Sequence, residues 1–405
     1  MKDIIKKKVK GEELEEFEIE KIVNSYTKGL LSDDLMAVFL TSVFINGFSE
    51  NELLYFTKAM MESGKVLHWR GGIYADKHST GGVGDKVSFL IAPIMASAGL
   101  KVPMISGRKL GHTGGTVDKL ESIPGYMVNL SFEEFQKIVD KIGLSIISQT
   151  EDLAPADRKI YALRDKLNLV DSIPLIASSI MSKKLAEGIN ILVLDVKTGK
   201  GAFMEKYEDA KELAQKMVSI GKKYGIKVRA HITNMDEPLG EAAGNSLEIL
   251  ECIRILKGEH YPDDLMEVTL TLAKSAFELA GIKEEPQKFI ENGKAYEKFK
   301  EMIREHGGNL EKVKVAENKM EIKAEKEGYL FLHTKEIGKV INEFKSKNSG
   351  CIFRKKSGDK LKKGEVICEV YFEKDEKEIA EKIKRHIEIR EEKIERKGMI
   401  FDIMG

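Results

Sequence analysis

The sequence predicts an α/β protein: a small all-α domain, a large mixed α/β domain and a β-rich C-terminal α+β domain. Three observations carry that reading. Residues 66–155 alternate strand-like and helix-like segments, the order that builds βαβ units. Ile191–Val196 is a continuous apolar run, as expected of a parallel strand covered on both faces. Residues 1–65 read as helix, and residues 156–190 turn helical again. The expected boundaries are 1–65 with 157–189 for the α domain, 66–156 with 190–310 for the α/β domain, and 311–405 for the C-terminal domain.

Taken in order, Ser32-Asp33-Asp34 is a helix start before Leu35, Val38, Phe39, Val43 and Phe44, and Ser49 with Glu52 forms a capping box before Leu53. Gly47 and Gly64 punctuate the helices. Val87–Leu100 is an apolar helix, and Val102–Ile105 and Ser145–Ser148 are short buried strands. Pro174 breaks or starts a turn within the second helical stretch. Ile191–Val196 runs into Lys197-Thr198-Gly199-Lys200-Gly201, a turn at the end of a strand where open α/β sheets gather ligands. A helix over Ala210–Ile220, a strand over Ile226–Ile232 and helices over Glu248–Leu256 and Leu265–Leu279 follow. From Asn309 the apolar segments shorten, and Tyr329–Leu332 and Val366–Phe372 read as strands. The turn Ser357–Lys360 with Lys362–Glu365 is similar to swinging-arm carrier domains but lacks their modifiable lysine hairpin, so a structural role is expected. Glu373–Lys397 is predicted to be a solvated, charged helix.

Composition narrows the function. Lys plus Arg equals Asp plus Glu at 66 each, so the formal net charge is zero and bulk attraction to nucleic acid or a membrane surface is not expected. Cys252, Cys351 and Cys368 are odd in number and have no metal-ligand spacing, which suits reduced thiols in the cytoplasm. The N-terminal sequence lacks the apolar core of a signal peptide, and no apolar run approaches the length of a membrane span.

The chemistry concentrates between Asp76 and Glu121. Two glycine-rich turns, DKHSTGGVGDK (Asp76–Lys86) and SGRKLGHTGGTVDKLE (Ser106–Glu121), flank the apolar helix. Glycine permits positive φ and close approach of N–H groups to an anion. Ser79, Thr80, Ser106, Thr113 and Thr116 add neutral donors, and Lys77, Lys86 and Arg108 add positive charge. A helix starting after Gly84 points its positive end at the same place. Neither turn is a Walker A or a dinucleotide fingerprint. The pattern reads as an oxyanion site for phosphate or a phosphate ester.

These turns resemble those of the thymidine and pyrimidine-nucleoside phosphorylases. The likeness continues through Gln149–Asp165, Ser172–Lys184, Leu194–Met204 and Gly244–Glu248. The resemblance implies phosphorolysis of a pyrimidine nucleoside such as thymidine, deoxyuridine or uridine, with inorganic phosphate as co-substrate and no organic cofactor. It implies a cleft between domains that closes on a hinge, and a homodimer formed through the α domain. Carried over, the phosphate ligands are Lys77, Ser79, Ser88, Ser106 and Thr116; the base is held by Arg164, Ser179 and Lys183; and His78 protonates the departing base. A monovalent cation, potassium, is implied at Gly84, Leu239, Ala242 and Glu251, but the family's hydroxyl position there is Lys86, whose ammonium group is expected to replace the ion.

Other departures touch the site. Lys109 and Lys200 stand where small residues are expected, and both are expected to narrow the site; Lys166–Val170 (KLNLV) replaces a threonine-rich run. Met104 stands where broad-specificity members have a lysine, which points toward 2′-deoxy sugars. Two alternatives remain open at this point: an anthranilate-type phosphoribosyltransferase using magnesium, and a nucleoside-binding relative without turnover.

Overall fold

The computed structural model describes residues 1–109 and 111–405. Four helices open the chain: α1 (Lys2–Val9), α2 (Glu16–Thr27), α3 (Asp33–Asn46) and α4 (Glu50–Met61). The capping box at α4 is formed, with Ser49 Oγ accepting from the Glu52 amide at 3.2 Å and Glu52 Oε2 accepting from the Ser49 amide at 2.8 Å. The α/β region follows as β1 (Ala75–Ser79), α5 (Val87–Ser97), β2 (Val102–Ser106), α6 (Thr116–Leu120), α7 (Phe132–Ile142) and β3 (Leu144–Ser148). The chain then returns to the helical domain with α8 (Pro155–Lys166) and α9 (Ile173–Ala186). One apolar cluster joins Ile160, Leu163 and Leu175 to Phe39, Phe56 and Met60, so α8 and α9 pack on the N-terminal helices despite the intervening strands.

Next come β4 (Ile191–Thr198), α10 (Tyr207–Lys223), β5 (Lys227–Asn234), β6 (Ala242–Ala243), α11 (Asn245–Leu256), α12 (Asp263–Ala280), α13 (Gln287–Glu291) and α14 (Lys294–Glu305). Strands β1, β4 and β5 are parallel and adjacent, and β2 pairs in parallel with β3. The apolar run in β4 has a simple cause. Ile191 and Val193 enter a core with α5 and α12, while Leu192, Leu194 and Val196 enter the opposite core with α9 and α10. Helix α5 is buried from Val87 to Ala96, which explains why it is apolar on every side.

The C-terminal region holds β7 (Asn318–Lys323), β8 (Gly328–Leu332), α15 (Thr334–Ile341), β9 (Gly350–Phe353), β10 (Lys360–Leu361), β11 (Val366–Phe372), α16 (Lys377–Lys384), β12 (Ile387–Arg390) and β13 (Ile400–Met404). It interlocks with the α/β domain twice. Strand β6 pairs with β9, and β13 leaves its own domain to cover the β5 edge antiparallel, with Ile403 opposite His231. The charged helix expected over Glu373–Lys397 is therefore corrected: α16 stops at Lys384 and β12 follows. Ile387 and Ile389 alternate with charged residues and pair with Leu332 and Leu330, a period of two that the surrounding charge conceals. No helix among the described residues is long and apolar enough to cross a membrane.

Candidate active site

Strand β1 delivers Lys77, His78 and Ser79 to its C-terminal end, and the first glycine-rich turn carries the chain back to α5. The second turn leaves β2 at Ser106 and reaches α6 at Thr116. A Cβ on Gly115 would lie 2.3 Å from the Lys109 amide nitrogen, so the second turn folds back on itself only because that residue is glycine. Facing both turns are α8 and α9 of the helical domain. Between them lies a cleft of about 460 Å³, within the range of small-molecule sites. Its phosphate-side wall includes Lys77, His78, Ser79, Ser88, Ser106 and Thr116, and its helical-domain wall includes Arg164, Ser179 and Lys183. All nine sequence-predicted residues for phosphate, base and proton transfer thus line one cavity.

Lys77 is the centre of the phosphate side. Its side chain is fully removed from solvent, yet its Nζ has no hydrogen-bond partner among the described residues. It lies 3.8 Å from Asp85 Oδ1 and 3.6 Å from Asp195 Oδ2. Lys197 Nζ, 2.9 Å from the same Asp195 oxygen, and Thr233 Oγ1, donating at 2.6 Å to the other, fix that carboxylate. Burial alone would raise the Asp85 pKa, but Lys77, Lys197 and Lys119 hold it below the usual carboxylate range. Two ammonium groups and two carboxylates are therefore in balance before any ligand enters. Ser79 donates to Asp85 and accepts from the Gly81 amide at 3.0 Å, tying the turn to this group. Burial, and then the ammonium groups of Lys184, Lys183 and Lys77, push the His78 pKa well below its ordinary value, so the ring is neutral near pH 7. Lys184, next to Lys183 in sequence, is no cleft cation of the same kind: it is buried against Asp76 Oδ2 at 2.6 Å, Glu187 Oε1 at 2.7 Å and the Ile105 carbonyl at 2.9 Å.

On the helical side, Asp157, Tyr161 and Arg164 occupy one face of α8 at spacings of four and three. Arg164 donates to the carbonyls of Val170 at 2.7 Å, Leu175 at 3.1 Å and Leu169 at 3.3 Å. The KLNLV segment thus grips the guanidinium, with Asn168 held at φ 57° to turn the chain. Three of five guanidinium N–H groups are used, which leaves two for a ligand. Lys183 pairs with Asp157 and donates to Ser179 Oγ at 3.1 Å. Asp157 Oδ1 and the Tyr161 hydroxyl are buried without hydrogen-bond partners among the described residues, and both residues line the cleft. Sequence reasoning missed Asp85, Asp157 and Tyr161; the α8 spacing ahead of Arg164 was the available signal for the last two.

Three expectations about the departures change. Met104 is fully buried in the core around α5 and is not on the cleft wall, so it carries no information about the sugar. Its neighbour Ile105, on the opposite face of β2, is on the wall instead. Lys200 does not narrow the cleft: its Nζ lies 4.5 Å from the centre of the Phe331 ring in the C-terminal domain. Lys109 is on the wall, but its Nζ reaches away to the Asn342 carbonyl at 3.3 Å.

The implied potassium position is filled by protein. Lys86 Nζ lies 2.8 Å from the Leu239 carbonyl, 2.8 Å from the Ala242 carbonyl and 2.7 Å from Glu251 Oε2. Gly84 packs on the same two carbonyls, where a Cβ would approach to 2.7 Å and 3.1 Å. Burial alone would raise the Glu251 pKa, but the Lys86 ammonium, with help from His260, lowers it to about 2. These residues do not fit an additional monovalent cation, because the ammonium group already takes the charge and the oxygens.

Two family profiles match the chain: "Glycosyl transferase family, helical bundle domain" over residues 2–64 and "Glycosyl transferase family, a/b domain" over residues 71–304. Among curated relatives, the chain is 39% identical to the pyrimidine-nucleoside phosphorylase of Geobacillus stearothermophilus over 429 residues, covering 99% of each. It is 43% identical to the pyrimidine-nucleoside phosphorylase of Bacillus subtilis, covering 92% of each. It is 46% identical to the thymidine phosphorylase of Colwellia psychrerythraea, over 76% of this chain and 72% of the relative. Among solved structures, anthranilate phosphoribosyltransferase from Thermus thermophilus superposes with a TM-score of 0.61 at 20% identity, over 75% of this chain and 99% of that one. At that identity the likeness is one of fold.

Proposed function

Because the chain belongs to the pyrimidine-nucleoside phosphorylases of the glycosyl transferase family, we propose that its cleft carries out reversible phosphorolysis of pyrimidine nucleosides to free base and (deoxy)ribose 1-phosphate. Inorganic phosphate is the co-substrate. Lys77, Ser79, Ser88, Ser106 and Thr116 hold it, and Arg164, Ser179 and Lys183 hold the base. A phosphate oxygen bonds to C1′ as the C1′–N1 bond breaks, and the bonding electron pair leaves with the base. Arg164 and Lys183 stabilise that developing anion, and the two walls orient the reactants; both effects are positioning and electrostatics. His78 enters as a neutral donor toward the base. Burial keeps the ring neutral in the free site, and a bound phosphate dianion offsets the ammonium part of the shift, so His78 takes up a proton from solvent and passes it to the departing base.

The observation that carries this reading is the Lys77 ammonium, without a hydrogen-bond partner among the described residues, opening onto the same cavity as Lys183 and Arg164. The phosphorylase relatives, covering most or all of the chain, set aside the phosphoribosyltransferase alternative, whose only support here is fold. Because the potassium position holds the Lys86 ammonium, no step is assigned to that ion and turnover is independent of it. Phe17, Leu30 and Ile45, 65%, 78% and 74% exposed on the helical domain, favour a homodimer through that surface. The setting is the cytoplasm, and the partners are small molecules, not nucleic acid or membrane. Closure of the helical domain toward the glycine-rich turns brings phosphate against the sugar. Ultraviolet monitoring of thymidine, deoxyuridine and uridine, with and without phosphate, tests the reading and resolves the sugar preference. Phosphate-dependent release of free base is expected; its absence with all three nucleosides overturns the proposal.

A further inference from the structure

The second glycine-rich turn has open space on both sides. Lys109, Gly114 and Gly115 line the active-site cleft and also a smaller cavity of about 180 Å³ shared with the C-terminal domain. A wall between two cavities has little packing of its own, so its position depends on the specific contacts that reach it. Asp118 accepts from the Lys109 amide at 2.7 Å and His112 Nε2 meets the Gly201 carbonyl at 3.0 Å, and the contacts from the C-terminal domain come from one stripe of α15 and its C-cap Asn342. Thr334, Gly338 and Asn342 lie four residues apart and therefore on one helix face.

Between them the three reach the turns that follow β1, β2, β4 and β5. Thr334 Oγ1 donates to the Asp236 carbonyl at 2.7 Å, and its methyl group would meet a Cβ on Gly201 at 2.5 Å. Gly338 has no side chain where a Cβ would lie 2.5 Å from the His112 carbonyl and 2.5 Å from Val83 Cγ2. It therefore touches the second and the first glycine-rich turns at once. Asn342 Nδ2 donates to the Gly111 carbonyl at 2.9 Å and reaches the Thr113 carbonyl at 3.5 Å. Glycine is a poor choice inside a helix, and its presence at 338 is explained by this close approach.

We propose that α15 of the C-terminal domain is a positioning clamp for the two anion-holding turns, with Asn342 and Gly338 setting the placement of Ser106–Thr116 and hence the affinity for phosphate. For the identity of the anion it rests on the phosphorylase reading. None of these residues lines the active-site cleft, so they act through the turns and not on substrate.

The test uses Asn342→Asp and Gly338→Ala in the full chain. The carboxylate of the first faces two carbonyl oxygens, and the Cβ of the second displaces α15 from His112. Both are expected to raise the KM for phosphate, about 10-fold and about 5-fold respectively, with the KM for nucleoside unchanged; the thermal midpoint should hold in Asn342→Asp and fall in Gly338→Ala, whose Cβ overpacks the contact. Calorimetric titration with inorganic phosphate reads the same effect without turnover. If the unsubstituted chain releases no base, the phosphorylase reading fails, while weaker phosphate binding by the two variants still upholds the clamp. A phosphate KM and affinity equal to those of the unsubstituted chain, equal rises in both KM values, or no phosphate binding by any of the three overturns it.

Discussion

Lys77 and Lys86 stand on the two shoulders of the first glycine-rich turn, and the side chains of both are fully removed from solvent. Lys86 has three oxygen partners within 2.8 Å, whereas among the described residues Lys77 has no hydrogen-bond partner and its nearest carboxylate oxygen is 3.6 Å away. An ammonium group has three protons to place, so the first is saturated and the second is not. Burial of a charge without that saturation is costly, and a fold tolerates it where a ligand supplies the missing acceptors. Position matters as well as satisfaction. His231 is buried with neither ring nitrogen hydrogen-bonded among the described residues, but it lies off the cleft wall, and burial lowers its pKa to about 4 so that it rests uncharged. A cation with unfilled hydrogen bonds opening onto a cavity marks the site; a neutral group with unfilled hydrogen bonds elsewhere does not.

The largest way to break the comparison is to remove the saturated lysine. Lys86→Met leaves the buried Glu251 and two carbonyls without their ammonium group, with only His260, 3.6 Å from Glu251, beside them. Removing one partner of such a pair costs about 3–5 kcal/mol of stability. Denaturant unfolding should show a loss in that range. A loss below about 1 kcal/mol would mean that the ammonium group is not structural.

Removing the unsaturated lysine should do the reverse. Lys77→Gln keeps the chain length similar but deletes the charge that meets phosphate. Losses of preorganised electrostatic contacts of this kind lower turnover about 10²–10³-fold. The unfolding midpoint should fall less than in Lys86→Met, since Lys197 still balances Asp195 at 2.9 Å and Lys197 and Lys119 still face Asp85. A variant that keeps its activity but unfolds more easily would place Lys77 in the same structural class as Lys86.

The sequence distinguished these two lysines only through family likeness, because both occur in a glycine-rich turn beside an aspartate. Where a signal is local and repeated, it was legible. The β4 run, the Ser49–Glu52 box and the apolar α5 all reappear as read, and the nine residues assigned to phosphate, base and proton transfer converge on one cleft. Signals that depend on which way a side chain points were not legible. Met104 and Ile105 are adjacent, and strand alternation sends one to the core and the other to the cleft. Lys200 turns to an aromatic ring from a domain more than a hundred residues away in sequence, a contact no local pattern encodes. The high charge around Ile387 and Ile389 favoured a solvated helix, and only the partner strand β8 reveals the alternation.

The smallest expected effect is also the sharpest test of Lys86. If its ammonium group serves in place of an ion, potassium has nothing to do in the unsubstituted protein: a free cation would have to displace a tethered one from the same three oxygens. Exchanging sodium for potassium at constant ionic strength should then change turnover by less than about two-fold, the scale of a general salt effect. Lys86→Thr should behave differently. It vacates the cradle but leaves the Leu239 and Ala242 carbonyls and the Glu251 carboxylate, to which it adds a hydroxyl. A cation that binds only the folded state raises stability by about 2.7 kcal/mol at a hundred times its Kd, so the thermal midpoint of this variant should climb with potassium while that of the unsubstituted protein stays flat. A strong, selective potassium activation of the unsubstituted protein would show that the ion acts elsewhere and that saturation of Lys86 has no bearing on it.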